Sequence, residues 1–564
     1  MKKYTVLFLL LTSLFVKAQT NSTTPPNTAK GNSKPKLIVG IVIDQMRYDY
    51  IYRFWDKFGN DGFKKLVNQG YFCKNTNYNY VPTYTGPGHA SIYTGTTPAV
   101  HGIIANDWYD KTTGKNMYCS EDAAVTGVGT TAKEGKRSPV NMLTTTITDE
   151  LRISSNMKSK VIGIALKDRS AILPAGHTAN AAYWFDGSVG GFISSTYYMN
   201  ELPAYVQAFN KKELPKKYLS QAWNTLLPIE QYTESVADDN KYEFVAKGET
   251  KPVFPHNLPA LYEKNGGLGM IRSTPFGNTL TKDFAIEIIK NENMGKGTAT
   301  DFLAVSFSSP DYIGHLYGPN SIEQEDDYLR LDLELAELIT FIETQVGKGN
   351  ALVFLTADHA APEVPAYLMD LKVPAGYLNE DKLFSDLKKY MAKTYGDSLI
   401  VSYSNQQVFL NQQVLENKKL MPQQVQEDVA NFIMKQEHVS EVLTATTLNN
   451  AQFTEGARYL MQKGFNVKRS GDVLVNYEPG YVDFPHYGTT HGSPYSYDTH
   501  VPLLFYGWHV KRGSTTEQIY ITDIAATLAM MLNIQFPNGS CGKPINISAP
   551  LHPISKGEDA GVKK

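Results

Sequence analysis

The run Leu37-Ile38-Val39-Gly40-Ile41-Val42-Ile43, closed by Asp44, constrains the fold more than any other feature of the chain. It has no polar alternation and is rich in β-branched residues. A strand with one wet face would alternate; this one suits a parallel sheet covered on both faces. Comparable runs recur at 160–166 before Lys167, at 302–307 shortly before Asp311, at 351–356 before Asp358, and at 501–506 before Gly507. All but the last are followed at once by polar, ionisable residues, and open α/β sheets place their sites at the carboxyl ends of their strands. Helical patterns lie between, at 321–344 (Ile322, Tyr328, Leu331, Leu335, Leu338, Ile339) and at 522–533, opened by Thr522 or Asp523. The expected fold is α/β: a central, mostly parallel sheet flanked by helices.

The chain has 564 residues. Lys2 and Lys3 precede an apolar run over 6–16, broken only by Thr12 and Ser13, and Val16-Lys17-Ala18 offers a cut before Gln19. This pattern is a secretory signal peptide over 1–18. The run is short for the roughly 20 residues of a membrane span, and no cysteine follows it to carry a lipid. No later segment is apolar for long enough to cross a bilayer. The mature protein is therefore expected to be soluble and periplasmic or secreted. Residues 19–35, rich in Thr, Asn, Pro, Ser and Lys, read as a flexible lead-in. Residues 36–550 read as a single α/β domain with insertions near 180–295 and 365–480 that decorate or roof the site, and 551–564 as a tail. Net charge is −2, which gives no basic field and no expectation of a nucleic-acid partner. Cys73, Cys119 and Cys541 match no zinc motif; one disulfide with a free thiol and three buried thiols are equally compatible. None is expected to be catalytic.

Three constellations carry chemistry. The first is acidic and imidazole: Asp44 at the end of a strand, Asp311 and His315 four apart so that one helical turn aims both the same way, Asp358 and His359 directly after a strand, and His491 in the loop Thr490-His491-Gly492-Ser493-Pro494. Carboxylate with imidazole suits zinc, catalytic zinc keeps an open position, and six ligands divide over two ions. Any one of these residues alone would be an ordinary surface charge or a satisfied polar group. The second surrounds Thr85 in Pro82-Thr83-Tyr84-Thr85-Gly86-Pro87-Gly88-His89-Ala90. Pro87 fits a first helical turn, which puts Thr85 just before the helix as an N-cap, where free N–H groups favour a phosphate. The third is cationic and polar: Lys167 and Arg169, two apart on either side of Asp168, with Asn106 as a further donor.

Together these blocks resemble the alkaline phosphatase superfamily, specifically its PafA-like, calcium- and phosphate-irrepressible bacterial type. The resemblance runs from about Lys36 to about Asn546. It rests on Asp44, the block Thr85 to Gly95, His101-Gly102-Ile103 with Asn106, Lys167-Asp168-Arg169, Pro310-Asp311-Tyr312-Ile313-Gly314-His315, Ala357-Asp358-His359 and His491-Gly492, in family order. It implies an alkaline-phosphatase-like sheet with inserted cap segments and two Zn2+. One zinc would be held by Asp44, Asp358, His359 and Thr85, the other by Asp311, His315 and His491. It further implies that Thr85 attacks phosphorus to form a phosphothreonine, with Asn106, Lys167 and Arg169 on the phosphoryl oxygens. His486 lies close enough in sequence to compete with His491; the Gly-Ser-Pro that follows His491 favours the latter. No further carboxylate cluster suggests a third, Mg2+ site, and none is expected.

The expected substrates are small-molecule phosphate monoesters. A nucleotide pyrophosphatase/phosphodiesterase shares the nucleophile and ligand set, but a monoester dianion carries two charges and rewards extra cations, so Lys167 and Arg169 favour monoesters. A sulfatase would have a modified Cys or Ser followed by Pro and Arg where this chain has Thr85-Gly86-Pro87. A cofactor-independent phosphoglycerate mutase would use Ser and stay in the cytoplasm. A non-catalytic exported binding protein would lack a ligand or the nucleophile, and no expected position is missing.

Overall fold

The computed structural model describes residues 34–397 and 399–548. The expected signal peptide and tail, and the lead-in up to residue 33, lie outside the described residues. Leu37–Ile43 (β1) is buried at all seven positions, and each fully buried Val, Leu or Ile side chain contributes about 1.5–3 kcal/mol. The other strands of its sheet are Tyr71–Asn77 (β2), Gly127–Val128 (β3), Val161–Ala165 (β4), Ala181–Asp186 (β5), Gly191–Ser195 (β6), Asp301–Phe307 (β7) and Ala351–Thr356 (β8). A smaller sheet takes Ile400–Ser404 (β9), Gln407–Leu410 (β10), Val439–Thr444 (β11) and Val473–Tyr477 (β12), and the main sheet resumes with His500–Gly507 (β13) and Gly513–Tyr520 (β14).

The main sheet has ten strands in the order β14-β2-β13-β8-β1-β7-β4-β5-β6-β3. At its centre β8, β1, β7 and β4 run parallel, and their registers place the strand ends together. Ile43 pairs with Phe307, Val42 with Thr356 and Ala165 with Ser306. Asp44, Asp358, Lys167 and the segment leading to Asp311 therefore leave the sheet at one edge. The last apolar run differs from its neighbours: β13 is antiparallel to β8, with Thr356 opposite Leu503 and Leu352 opposite Gly507. Its carboxyl end therefore points away from the site. Its amino end, preceded by His491, arrives at the site edge instead.

Helix Ile322–Val346 follows Ser321, whose hydroxyl accepts the Gln324 N–H, and Asp523–Leu532 follows Thr522. The stretch near 180–295 starts inside the main sheet: the apolar runs of β5 and β6 are buried throughout and pair with each other. The smaller sheet, in the order β9-β10-β12-β11, has its own apolar core with Leu387, Met391, Val429 and Ile433 from helices Glu380–Tyr395 and Pro422–Ile433. Cys73 and Cys119 are buried free thiols and Cys541 is an exposed one, so neither expectation for the cysteines describes them. No helix among the described residues is long and apolar enough to cross a membrane.

Candidate active site

Helix Thr85–Thr94 (α1) brings the first site residue to the sheet edge. Thr85 is its first residue; Tyr84, in extended backbone, holds the N-cap position without a side-chain cap. The expectation of Thr85 as N-cap is corrected by one residue. The expected free N–H groups are also largely committed: the Gly86 N–H donates to Asn106 Oδ1 at 2.8 Å, the Gly88 N–H to the Tyr84 carbonyl at 2.8 Å, and Pro87 has none. Cationic side chains take that place. Lys167 Nζ stands 3.5 Å and Arg169 Nη2 3.4 Å from Thr85 Oγ1.

Two groups of acids and imidazoles flank this hydroxyl. Asp44, Asp358 and His359 form one, and Asp311, His315 and His491 the other; within each, one ligand atom per residue lies within 4.8 Å of the others. Asp311 and His315 sit on helix Ser309–Tyr317, and His315 Nε2 is 3.2 Å from Asp311 Oδ1. His491 Nε2 is 3.6 Å from the same oxygen. In the first group His359 Nε2 is 3.5 Å from Asp44 Oδ1 and 3.6 Å from Asp358 Oδ2. The two groups touch where the His359 and His491 rings stack, with centroids 3.5 Å apart. His486 joins neither group and stacks on Tyr377.

The donor sets fit metal ions. All three imidazoles point Nδ1 at a backbone carbonyl: His315 at Thr489 (2.7 Å), His359 at Ala360 (3.1 Å) and His491 at Thr83 (2.7 Å). That contact assigns the ring proton to Nδ1 and leaves an Nε2 lone pair facing the carboxylates, the arrangement of metal-ligating histidines. Burial holds His491 down to about 3 and, with His491 beside it, lowers His359 as well, so both are neutral. The fully buried Asp44 Oδ1, Asp358 Oδ2 and His359 Nε2 have no hydrogen-bond partner, a costly arrangement for a site meant to stay empty of cations. Burial and the neighbouring Asp358 raise Asp44 well above the usual carboxylate range, and burial pushes Asp358 up to about 7. Asp311 goes the other way: burial opposes its charge, but His315 and Lys167 hold it well below the ordinary value.

Lys167 lies between the groups, with Nζ 2.8 Å from Asp44 Oδ2 and 2.5 Å from Asp311 Oδ2. Burial works against its charge, yet these two acids raise its pKa above the usual lysine value. Arg169 is held from behind: its Nη1 donates to Tyr118 Oη at 3.0 Å, Tyr118 donates to Asp168, and Arg137 Nε pairs with Asp168 at 2.8 Å.

Four contributors carried no expectation. Gln45 donates its N–H to Asp358 at 3.1 Å and its side-chain amide to Asp311 at 2.7 Å, tying the two groups together; its place directly after Asp44 was the available signal. His89 contacts the Thr85 carbonyl through Nδ1 and Ser306 Oγ through Nε2, both at 2.9 Å, and its i+4 spacing from Thr85 was visible. Tyr118 and Arg137 come from a distant hairpin and a loop, and no local pattern marks them.

A family model described as "Type I phosphodiesterase / nucleotide pyrophosphatase" matches residues 38–500. Among curated relatives, a protein called calcium-transporting ATPase from Myroides odoratus is 47% identical over 517 residues, covering 91% of this chain and 94% of its own. Alkaline phosphatase PafA from Elizabethkingia meningoseptica is 45% identical over 515 residues, with 91% and 94% covered. The crystal structure of wild-type alkaline phosphatase PafA superposes with a TM-score of 0.88 at 44% identity, covering 92% of this chain and 99% of that one. The family match includes every residue of both ligand groups, and the chain accordingly belongs to the type I phosphodiesterase/nucleotide pyrophosphatase family of the alkaline phosphatase superfamily, among its PafA-like alkaline phosphatases.

Proposed function

We propose that the protein hydrolyses small-molecule phosphate monoesters at a two-zinc site, through a phosphothreonine on Thr85. One observation carries the reading: a buried hydroxyl within 3.5 Å of a lysine and an arginine, flanked by two acid-imidazole groups whose Nε2 atoms are turned inward. Asp44, Asp358 and His359, with Thr85, would hold one zinc; Asp311, His315 and His491 would hold the other. Oxygen and imidazole donors suit zinc. When bound, the ions supply Lewis-acid charge that lowers the pKa of the threonine hydroxyl and neutralises charge on the leaving oxygen.

The rest falls to the chain. Thr85 Oγ1 attacks phosphorus in line and the alcohol departs; water then attacks the same phosphorus, and the threonine oxygen leaves. His89 fixes the Thr85 backbone, and Asn106, anchored through Gly86, presents its amide beside the nucleophile. Lys167 and Arg169 hold the non-bridging oxygens. A phosphoryl transition state needs positioning and charge more than covalent help, and a planar guanidinium can take two oxygens at once. The solved PafA variant with one threonine, one asparagine, one lysine and one arginine replaced changes the same four residue types that meet here.

The family's description also names diesterases. A diester brings one negative charge and a second substituent, for which two buried cations beside the nucleophile are more than is needed. The Myroides relative is called a transporting ATPase; the two donor sets account for hydrolysis and call for no transport step. The export pattern at the amino terminus, Lys2-Lys3 before the apolar run 6–16, supports a periplasmic or secreted enzyme. Release of p-nitrophenol from p-nitrophenyl phosphate tests the reading. It is expected in wild type with zinc, and expected to be lost with a chelator or in Thr85→Ala. Undiminished turnover in Thr85→Ala would refute it.

A further inference from the structure

In the reading above Thr85 belongs with the first ligand group, so an in-line displacement sends the alcohol out on the opposite side, toward the second group, and a cleft opens there beside His491. His491 lines its inner end, and Tyr84, edge-on to the His491 ring with centroids 5.6 Å apart, forms the seam between cleft and nucleophile. An alcohol leaving phosphorus there has this cleft beside it. Its chemistry is one-sided. Tyr477, Tyr481 and Tyr497 supply aromatic faces, and the carboxylates of Glu380, Asp483 and Asp498 supply negative charge; no lysine or arginine is among its lining residues.

The acids are graded by depth. Asp483 is exposed at the rim and Glu380 is half-buried. Asp498 is 1% exposed. Its Oδ2 takes the Gly492 and Ser493 N–H groups at 3.0 and 2.7 Å, while its Oδ1 has no hydrogen-bond partner. Glu380 receives the Tyr403 hydroxyl at 3.3 Å and is also bonded by Tyr477, while burial together with the Asp483 charge pushes it up to about 7. Buried carboxylate oxygens are normally paired; Asp498 Oδ1 has no partner, and its residue lines the cleft, among rings whose faces attract cations.

Resting on the phosphatase reading, we propose that this cleft is a leaving-group subsite selective for alcohols that carry a positive charge, so that amino- and ammonium-alcohol phosphates are favoured substrates. The phosphate dianion is drawn to the cationic, metal-holding centre and the ammonium to the acid-and-tyrosine cleft. A zwitterionic monoester thus matches both fields, while an anionic leaving group meets repulsion.

The test compares phosphocholine with 3,3-dimethylbutyl phosphate, its uncharged isostere, on the zinc-loaded full-length enzyme, with p-nitrophenyl phosphate as reference. The expected kcat/KM ratio favours phosphocholine by about tenfold or more. In the double variant Glu380→Gln/Asp483→Asn the ratio is expected to collapse towards one; the ratio, not either rate, is the readout. Equal kcat/KM values in wild type that hydrolyses p-nitrophenyl phosphate would overturn the subsite and leave the phosphatase standing. A ratio unchanged in the double variant would likewise overturn it. No hydrolysis of p-nitrophenyl phosphate by the zinc-loaded enzyme would overturn the phosphatase reading, and the subsite with it.

Discussion

Gly88 of α1 lies directly against Asp358: a Cβ built on Gly88 would sit 2.3 Å from the Asp358 carbonyl oxygen and 2.8 Å from its Cβ. This close approach sets how near the threonine's helix comes to the acid-bearing end of β8. Gly88→Ala would gain about 1 kcal/mol of helix propensity. It would also force backbone apart, and overpacking of this kind costs about 1–3 kcal/mol. Because a shift of roughly 1 Å in a reacting group can cost on the order of 100-fold, kcat/KM for p-nitrophenyl phosphate is expected to fall at least tenfold, with a lower melting temperature. A variant as active as wild type and more stable would show that the contact does not set the spacing.

Arg169 approaches Thr85 Oγ1 with one terminal nitrogen and is held by Tyr118 with the other. Two non-bridging charges on a monoester should depend on it more than the single charge of a diester. Arg169→Ala is expected to lower kcat/KM for p-nitrophenyl phosphate by on the order of 100-fold or more, and for bis-p-nitrophenyl phosphate by much less. Equal losses would place the guanidinium elsewhere during turnover.

Lys167 pairs with one acid from each ligand group, so ammonium and metal ions serve the same carboxylates. Removing one partner of a buried ion pair costs about 3–5 kcal/mol when nothing replaces it, whereas bound zinc would supply the missing charge. Lys167→Met is therefore expected to lose much more thermal stability, relative to wild type, in chelator than in saturating zinc. Matching losses in both conditions, followed by differential scanning fluorimetry, would mean that the lysine and the metals do not share these acids.

The legible part of this site was what the sheet itself positions. Asp44 and Asp358 end apolar runs whose parallel register brings them together, and Asp311 and His315 share a helical face. The antiparallel direction of β13 was hidden, because a buried run reads alike in either direction. The support behind Arg169 was also hidden. Tyr118, Arg137 and Asp168 meet through tertiary packing of a hairpin, a loop and a helix start, and no spacing in sequence encodes that. Thr85 was placed one residue off because Pro87 is tolerated anywhere in a first turn.

His256 lies between two carboxylates and belongs to neither ligand group, with Nδ1 2.9 Å from Glu249 and Nε2 3.1 Å from Glu323. Burial alone would lower its pKa, but bonding to Glu249 and Glu323 raises it to about 9. Raised above its unfolded value, this imidazolium contributes stability that is fully present below about pH 6.5 and is lost as pH climbs through 9. The full effect is on the order of 3 kcal/mol. Glu243, pushed up to about 10 by burial and by the Glu323 charge, acts in the same direction over a wider window, since its protonated form is the one the fold prefers. Losing the imidazolium proton would loosen the Trp223–His256 backbone pairing from the start of helix Ile322–Val346, which Glu323 helps to open. Urea midpoints measured from pH 6 to 10 in saturating zinc should fall steeply for wild type and less steeply for His256→Gln, whose uncharged amide has no proton to lose. Parallel curves for the two proteins would show that the imidazolium is not what stabilises this end of the helix.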